Sequence, residues 1–554
     1  MNKNLNIINP KDKNFYLRIL KNEPNNYDAI LKLGLIEVKE SDFNSAKEKF
    51  KKLIKIDINK FEGHLNLSNI YILENQVTKA NNILNNYLDE INENIEIINA
   101  LSINLLNSKD YQKLERLIDN YIYKYESYIL YYLKGYILKK NDKISKSEIY
   151  FKKSITINPN FWQSYESLFK QYEKQSKLKN FRELLSDAKI IFNENPMLAY
   201  YEALYFFRDK NYKKSLAILK DRQNEISLFS KQNETFLLDC YHLFSRVYEK
   251  LGFFNSSYNF AIKRNKIALN LKENKKFNKK LILDTIAVYK TFFEKKNKPK
   301  VLNLCNGIEH SNLVFLIGFP RSGTTLLDTI LRANSKTLVL EEKPYLLDVR
   351  HEFYQNHKLN DILNIDENKK IRMQKQYFNS FDYKSDKIII DKYPLNLIEL
   401  GFIKTIFPNS KIILALRHPL DCIISCVLTS FKMNDGMIHF ENVHTASYFY
   451  NECFDLLMKY FNYYQISYHT VKYENVINNF KNEISNLIKY LNLTFEESMY
   501  NFQRTAKERE KINTPSYDQV VQPIYSSSIN RYKNFDEIKN IKNDMQKWIE
   551  EFSY

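Results

Sequence analysis

The chain has 554 residues, a formal charge of +18 from 83 basic against 65 acidic side chains, and 44% hydrophobic with 14% aromatic residues. That much apolar material excludes a generically disordered protein, and the length points to roughly three to four domain-sized units unless part of the chain is a repeat array. The lysines are scattered among asparagines and acids rather than gathered in blocks, which argues against nucleic acid and leaves a basic field that draws polyanionic cofactors and acidic substrates. No run of about 18 apolar residues offers a membrane span, and the first ten residues are too polar for a signal peptide. A soluble cytoplasmic protein is expected. The five cysteines form no CxxC pair and no Cys/His metal spacing, which suits a reducing compartment and gives no metal site. Cys422 and Cys426, four apart in an apolar run, are expected as small apolar residues of one helix face rather than a redox pair.

In chain order the first elements are paired helices. A period of about 34 residues places Gly34, Ser68, Ser102 and Gly135 at one small position. Sixteen residues on come the large apolar side chains Phe50, Leu84, Ile118 and Phe151, with Ala46, Ala80 and Ser147 four residues before the plug of their repeats. Pro159 then stands where a helix-stopping proline ends the fourth copy. This pattern resembles a tetratricopeptide array over about residues 15 to 220, with degenerate copies continuing to about 290. Such stacked pairs make a concave surface that holds a peptide or partner protein; equally, the array buttresses the following domain or mediates self-association.

From about Asn312 short β-branched runs alternate with helical segments, which implies a parallel sheet flanked by helices. The runs 313–317, 387–390 and 411–416 read as buried strands, and each ends in candidate chemistry: Gly318 onward, Asp391-Lys392, and Arg417-His418-Pro419. The first is a phosphate cradle. Its glycines Gly318 and Gly323 hold the Walker A frame, but Thr324 stands where the lysine belongs and Thr325 follows in the hydroxyl position. The cation instead sits inside the loop as Arg321, beside Ser322. A planar guanidinium among backbone N–H groups suits one compact anion with fork geometry better than a long triphosphate.

Here the chain resembles the sulfotransferases that use 3′-phosphoadenosine 5′-phosphosulfate (PAPS), most closely their tetratricopeptide-linked and tyrosylprotein-type branch. Pro320-Arg-Ser-Gly-Thr-Thr-Leu-Leu327 matches the family's 5′-phosphosulfate loop, and the segment from Phe407 to Ser425 matches its 3′-phosphate motif, with Arg417 ending a strand and Ser425 eight residues later. The resemblance covers about residues 312 to 535 and implies a P-loop-like α/β domain over 291–554, after an α-solenoid over 15–290. It implies a PAPS donor held by Arg321, Ser322, Gly323, Thr324, Thr325, Arg417 and Ser425. Tyr473, Ser528 and Arg531 fall where the family keeps further nucleotide contacts.

Sulfuryl transfer needs a base for the acceptor proton and cations for the charge on the transferring and leaving oxygens. Glu342 lies where the tyrosylprotein branch keeps a catalytic glutamate in a Glu-Glu pair, and Glu341 is its substitute. Lys392, after a strand and before Tyr393-Pro394, corresponds to the lysine that steadies the bridging oxygen. The segment from Ser516 resembles that branch's serine motif, which implies that Ser516 binds the nucleotide or steadies the transition state. The chain departs from the branch in carrying Lys343-Pro344 after the glutamate pair and Asp348 where an acidic-peptide-binding arginine would stand. The acceptor is therefore open: a peptide tyrosine, a sugar or a small molecule. Two other readings stand beside this one. Taking 388–391 as a Walker B strand makes Asp391 a magnesium ligand in a kinase or NTPase, and a vestigial cradle leaves a non-catalytic repeat protein.

Overall fold

The computed structural model describes residues 12–230, 233–294, 312–356, 359–384, 386–508 and 526–554. By its internal contacts the chain divides into two compact units, Met1–Tyr172 and Glu173–Tyr554.

The first unit is a series of helix pairs. Its small and large landmarks meet as the period predicts. A Cβ added to Gly34 would lie 2.7 Å from the Phe50 ring, and one added to Gly135 would lie 2.7 Å from Phe151. Ser68 and Ser102 fill the same place in the intervening pairs and are buried, with Leu84 and Ile118 as their plugs. Pro159 stands just past the helix Ile144–Ile157.

One recurrent feature is not in the landmark set. Ser41, Asn75, Lys109, Asp142, Ser176 and Lys210 all have φ between +54° and +63°, and Gly252 has φ +82°. Each sits at the turn within a helix pair, spaced at the repeat period until the last. At Asp42, Gln76, Asp110, Lys143, Asn211 and Phe253 the N–H reaches back to a carbonyl five residues earlier, as in Asp42 N to Glu37 O at 2.9 Å and Asp110 N to Leu105 O at 3.0 Å. These are Schellman closures. The same Asp42 and Asp110 then cap the following helix, accepting from Ser45 N and Lys113 N.

The second unit begins with further helices and ends in a five-stranded parallel sheet. Its strands are β1 (Leu313–Gly318), β2 (Thr337–Glu341), β3 (Ile388–Lys392), β4 (Lys411–Leu416) and β5 (Tyr468–Lys472), in the order β2-β3-β1-β4-β5. Three of them were legible as apolar runs; β2 and β5 were not. Alternate residues of β1 serve two cores. Leu313, Phe315, Ile317 and Phe319 pack with the helices Lys279–Glu294, Val443–Tyr464 and Lys542–Glu551. Val314 and Leu316 pack with Leu327, Ile330 and Leu331 of the helix Thr324–Arg332 and with Ile484, Leu487 and Ile488. A sheet covered on both faces explains why its inner strands read as unbroken apolar runs. The chain leaves β1 towards β2 and β3 on one side and reaches β4 on the other, so the cradle lies where the strand order reverses.

Candidate active site

The cradle is the turn between β1 and the helix Thr324–Arg332. Gly318 has no room for a side chain, since its Cβ would lie 2.6 Å from Ala415 O, and Gly323, at φ +95°, would press one 2.9 Å from the Tyr473 ring. Arg321 also adopts a left-handed conformation, φ +70°, which costs an L-residue about 1–2 kcal/mol. Its guanidinium donates from Nε to Ser425 Oγ at 3.1 Å. The two anion motifs therefore touch through their own side chains, although 104 positions separate them.

Arg417, at the end of β4, is 5% exposed. It donates to Arg321 O at 3.2 Å and to Ser528 O at 2.5 Å, and its guanidinium lies 5.1 Å from the centre of the Tyr473 ring. Its Nε, like Ser322 Oγ, is buried without a hydrogen-bond partner among the described residues. Two buried donor-capable groups with no partner among the described residues, one in each motif, fit a ligand carrying an anion at each end.

The carboxylate and lysine candidates meet beside this cradle. Glu342 follows β2 with φ +49°, and Lys392 ends the neighbouring β3, opposite Glu341 in register. Lys392 Nζ is wholly buried and donates to Glu342 Oε1 at 2.7 Å, with Asp328 Oδ2 at 3.7 Å and Glu341 Oε1 at 3.9 Å. Three carboxylates thus surround one ammonium. Glu342 is the exposed member, its side chain 32% accessible, so it is the one an acceptor can approach. Asp328 Oδ1 accepts from Arg332 Nε at 3.1 Å.

Asp391 points the other way. Successive strand residues face opposite sides, and Asp391 Oδ2 accepts from Tyr377 O–H at 2.7 Å inside the core. Burial pushes its carboxyl up to about 7 against the help of the Tyr377 hydrogen bond and Lys392. That placement removes the strand-end carboxylate on which the magnesium reading depends. Cys422 and Cys426 are buried free thiols, with Cys426 Sγ directed at Pro320 O.

Of the remaining candidates, Thr324 and Thr325 are buried at the start of the cradle helix, and Tyr473 and Ser528 join the Arg417 cluster. Arg531 is engaged away from that cluster, with Nε to Glu249 Oε1 at 2.5 Å and Nη2 to Glu249 Oε2 at 2.7 Å. Ser516 lies outside the described residues.

Residues 314–497 match the family model described as the Sulfotransferase family. Residues 128–161 match the model for a tetratricopeptide repeat. An uncharacterised protein of Aquifex aeolicus is 24% identical over 254 residues, which take in 43% of this chain and 33% of that one, so the chain spans about a third of the length of the curated relative it matches. Among solved structures, a tetratricopeptide repeat protein from Parabacteroides merdae is 13% identical with a TM-score of 0.34, over 45% of this chain and 96% of that one. The sulfotransferase domain of the Synechococcus olefin synthase is 18% identical with a TM-score of 0.31, over 47% and 97%.

Within the matched stretch, two contributors, Asp328 and Asp421, carried no motif of their own, and His418 was legible only as the neighbour of Arg417. Asp328 reads as an ordinary polar residue one turn into a helix. Asp421 accepts from Asn530 N at 2.9 Å and Tyr532 N at 2.8 Å, holding the segment after Ser528 across the Arg417 cluster. His418 stacks on Tyr532 with ring centroids 4.5 Å apart. Burial, reinforced by Lys533 and Arg417, lowers its imidazole to about 4, so the ring is neutral at physiological pH. Only the spacing of Asp421 four residues after Arg417, in the first turn of the helix Pro419–Leu428, could have flagged it.

Proposed function

We propose that this protein is a PAPS-dependent sulfotransferase that moves a sulfuryl group to a hydroxyl acceptor by in-line transfer. The observation that carries the reading is the convergence of the two anion motifs, Arg321 on Ser425 and Arg417 on Arg321 O, beside the Glu342–Lys392 pair. Bound PAPS supplies the sulfuryl group, whose bond to the acceptor oxygen forms as its bond to the 5′-phosphate breaks. Arg321, Ser322, Gly323, Thr324 and Thr325 hold the 5′ end, and Arg417 and Ser425 hold the 3′-phosphate, with Tyr473, Ser528 and Arg531 as the outlying nucleotide contacts. Glu342 takes the acceptor proton. Lys392 orients that carboxylate and offers its charge to the departing oxygen. Ser516 completes the catalytic assignment.

The tyrosylprotein-type assignment and a peptide tyrosine as acceptor extend this reading, with the repeat region over 15–290 holding the acceptor or its carrier and the catalytic domain over 291–554. Asp348, in the place of the branch's peptide-binding arginine, is exposed, which keeps a sugar or small molecule in contention. No helix among the described residues is long and apolar enough to cross a membrane. The buried thiols Cys240, Cys422, Cys426 and Cys453 suit the cytoplasm.

The test is thermal stability with adenosine 3′,5′-bisphosphate, with AMP, and with ATP plus magnesium, for the wild type and Arg417→Ala. A ligand that binds only the native state raises its melting point with saturation. The proposal expects a shift with the bisphosphate that AMP does not give and that the variant loses. Stabilisation by ATP with magnesium alone would overturn it in favour of a kinase.

A further inference from the structure

The helices Glu234–Lys250 and Phe254–Asn270 form a pair that precedes the sheet in sequence. They carry three polar side chains that reach the nucleotide site from behind. Arg264 is 1% exposed. Its Nη1 and Nη2 donate to Leu428 O at 3.1 Å, Val427 O at 2.8 Å and Thr429 O at 2.9 Å, the terminal carbonyls of the helix Pro419–Leu428 that carries Ser425 and Asp421. A guanidinium there caps the orphan carbonyls and meets the negative end of the helix dipole. Beside it, Asn265 Nδ2 donates to Val427 O at 3.1 Å, Phe440 O at 3.0 Å and Glu441 O at 3.2 Å. The two ends of the segment 427–441 are therefore tied to one side chain. From the other helix, Glu249 takes Arg531 in a two-point fork. Arg531 belongs to the segment that Asp421 and Arg417 hold at Asn530, Tyr532 and Ser528.

We propose that Glu249 and Arg264 are positioning residues for the 3′-phosphate end of the nucleotide site. Arg264 fixes the far end of the Ser425 helix, and Glu249 fixes the closing segment through Arg531. Neither touches the reacting atoms. The pair of helices that continues the repeat series is thus a working wall of the catalytic unit, and the inference rests on the functional reading given above. A pair serving only as a prop would carry apolar contacts at these points. A guanidinium withdrawn from water to cap one particular helix end, and a carboxylate aligned on one particular arginine, specify position as well as proximity.

The experiment measures dissociation constants for adenosine 3′,5′-bisphosphate and for AMP by calorimetry in the full chain, for the wild type, Glu249→Gln and Arg264→Lys, with melting points alongside. Removing a group that orients a ligand's partner typically weakens binding on the order of tenfold. That loss is expected for the bisphosphate in both variants, with AMP affinity changed far less, because the elements held are those of the 3′ end. Glu249→Gln perturbs a partly exposed pair, so it remains informative should Arg264→Lys fail to fold. Equal losses for both ligands, tighter bisphosphate binding, or a lower melting point with unchanged selectivity would each overturn the assignment. A wild type that binds no bisphosphate would instead overturn the functional reading itself.

Discussion

Replacing Asp391 by asparagine should make the protein more stable at neutral and alkaline pH, although the residue stands next to last in β3, beside the lysine proposed for catalysis. The carboxyl is wholly buried, accepts from Tyr377, and is raised by desolvation from 3.8 to about 7. Between those values the folded protein keeps a proton that the unfolded chain has released, so the native state binds more protons and its stability falls as pH rises. About three pKa units at 1.36 kcal/mol each put the full penalty near 4 kcal/mol above pH 7. Asparagine keeps the shape and an acceptor for Tyr377 but cannot ionise. The stability difference, variant minus wild type, should therefore rise by about 2 kcal/mol between pH 5 and pH 7 and then level off. The assay is urea unfolding by tryptophan fluorescence at several pH values, in a Trp162→Phe background so that Trp548, buried in the core of the sheet unit, is the reporter. A difference that stays flat with pH, or a variant less stable at pH 8, would refute the reasoning. Loss of a stabilising response to ATP with magnesium on this substitution would return Asp391 to a metal-holding role.

Other outcomes follow from the same contacts. Glu342→Gln should keep bisphosphate affinity while lowering the transfer rate by about 10²–10⁴, the usual reach of a general base; equal losses in binding and turnover would make it a structural residue. Lys392→Met leaves Asp328 and Glu341 buried without their ammonium and should cost about 3–5 kcal/mol in urea unfolding. Gly135→Ala gains about 1 kcal/mol of helix propensity but drives a methyl into Phe151, a cost of about 1–3 kcal/mol. Net destabilisation is expected, relieved when Phe151→Leu is added. Lys109→Gly should stabilise the repeat region by about 0.5–1 kcal/mol, because glycine adopts the left-handed turn without strain and loses only part of that gain to chain entropy.

What the sequence disclosed depended on how local each signal was. The repeat landmarks sit sixteen residues apart on successive helices, so Gly34 with Phe50 and Gly135 with Phe151 were readable as spacing. β1, β3 and β4 lie inside the sheet and read as apolar runs. β5 is an edge strand whose first residue, Tyr468, is exposed and which includes His469 and Lys472, and β2 is five residues long straight after a turn, so neither shows a decisive pattern. The tight turn after β1 was legible because Gly318 and Gly323 stand at places where the fold leaves no room for a side chain. Asp328, Glu249 and Arg264 were not, since each acts on a partner whose position only the tertiary fold supplies; Arg264 and the carbonyls it caps are separated by 163 to 165 positions. The left-handed turns escaped because serine, asparagine, lysine and aspartate occupy positions where glycine would have advertised the conformation.

Those turns also fix how the repeat region can change length. At Asp42 and Asp110 a single residue both completes the closure of one helix and caps the next, so the junction has no spare residue to absorb an insertion. One extra residue within a helix would rotate everything beyond it by about 100° and turn the plug away from its small partner. Changes of length are therefore expected in the links between pairs, as where Lys109 and Asp142 stand one residue closer than the neighbouring turns.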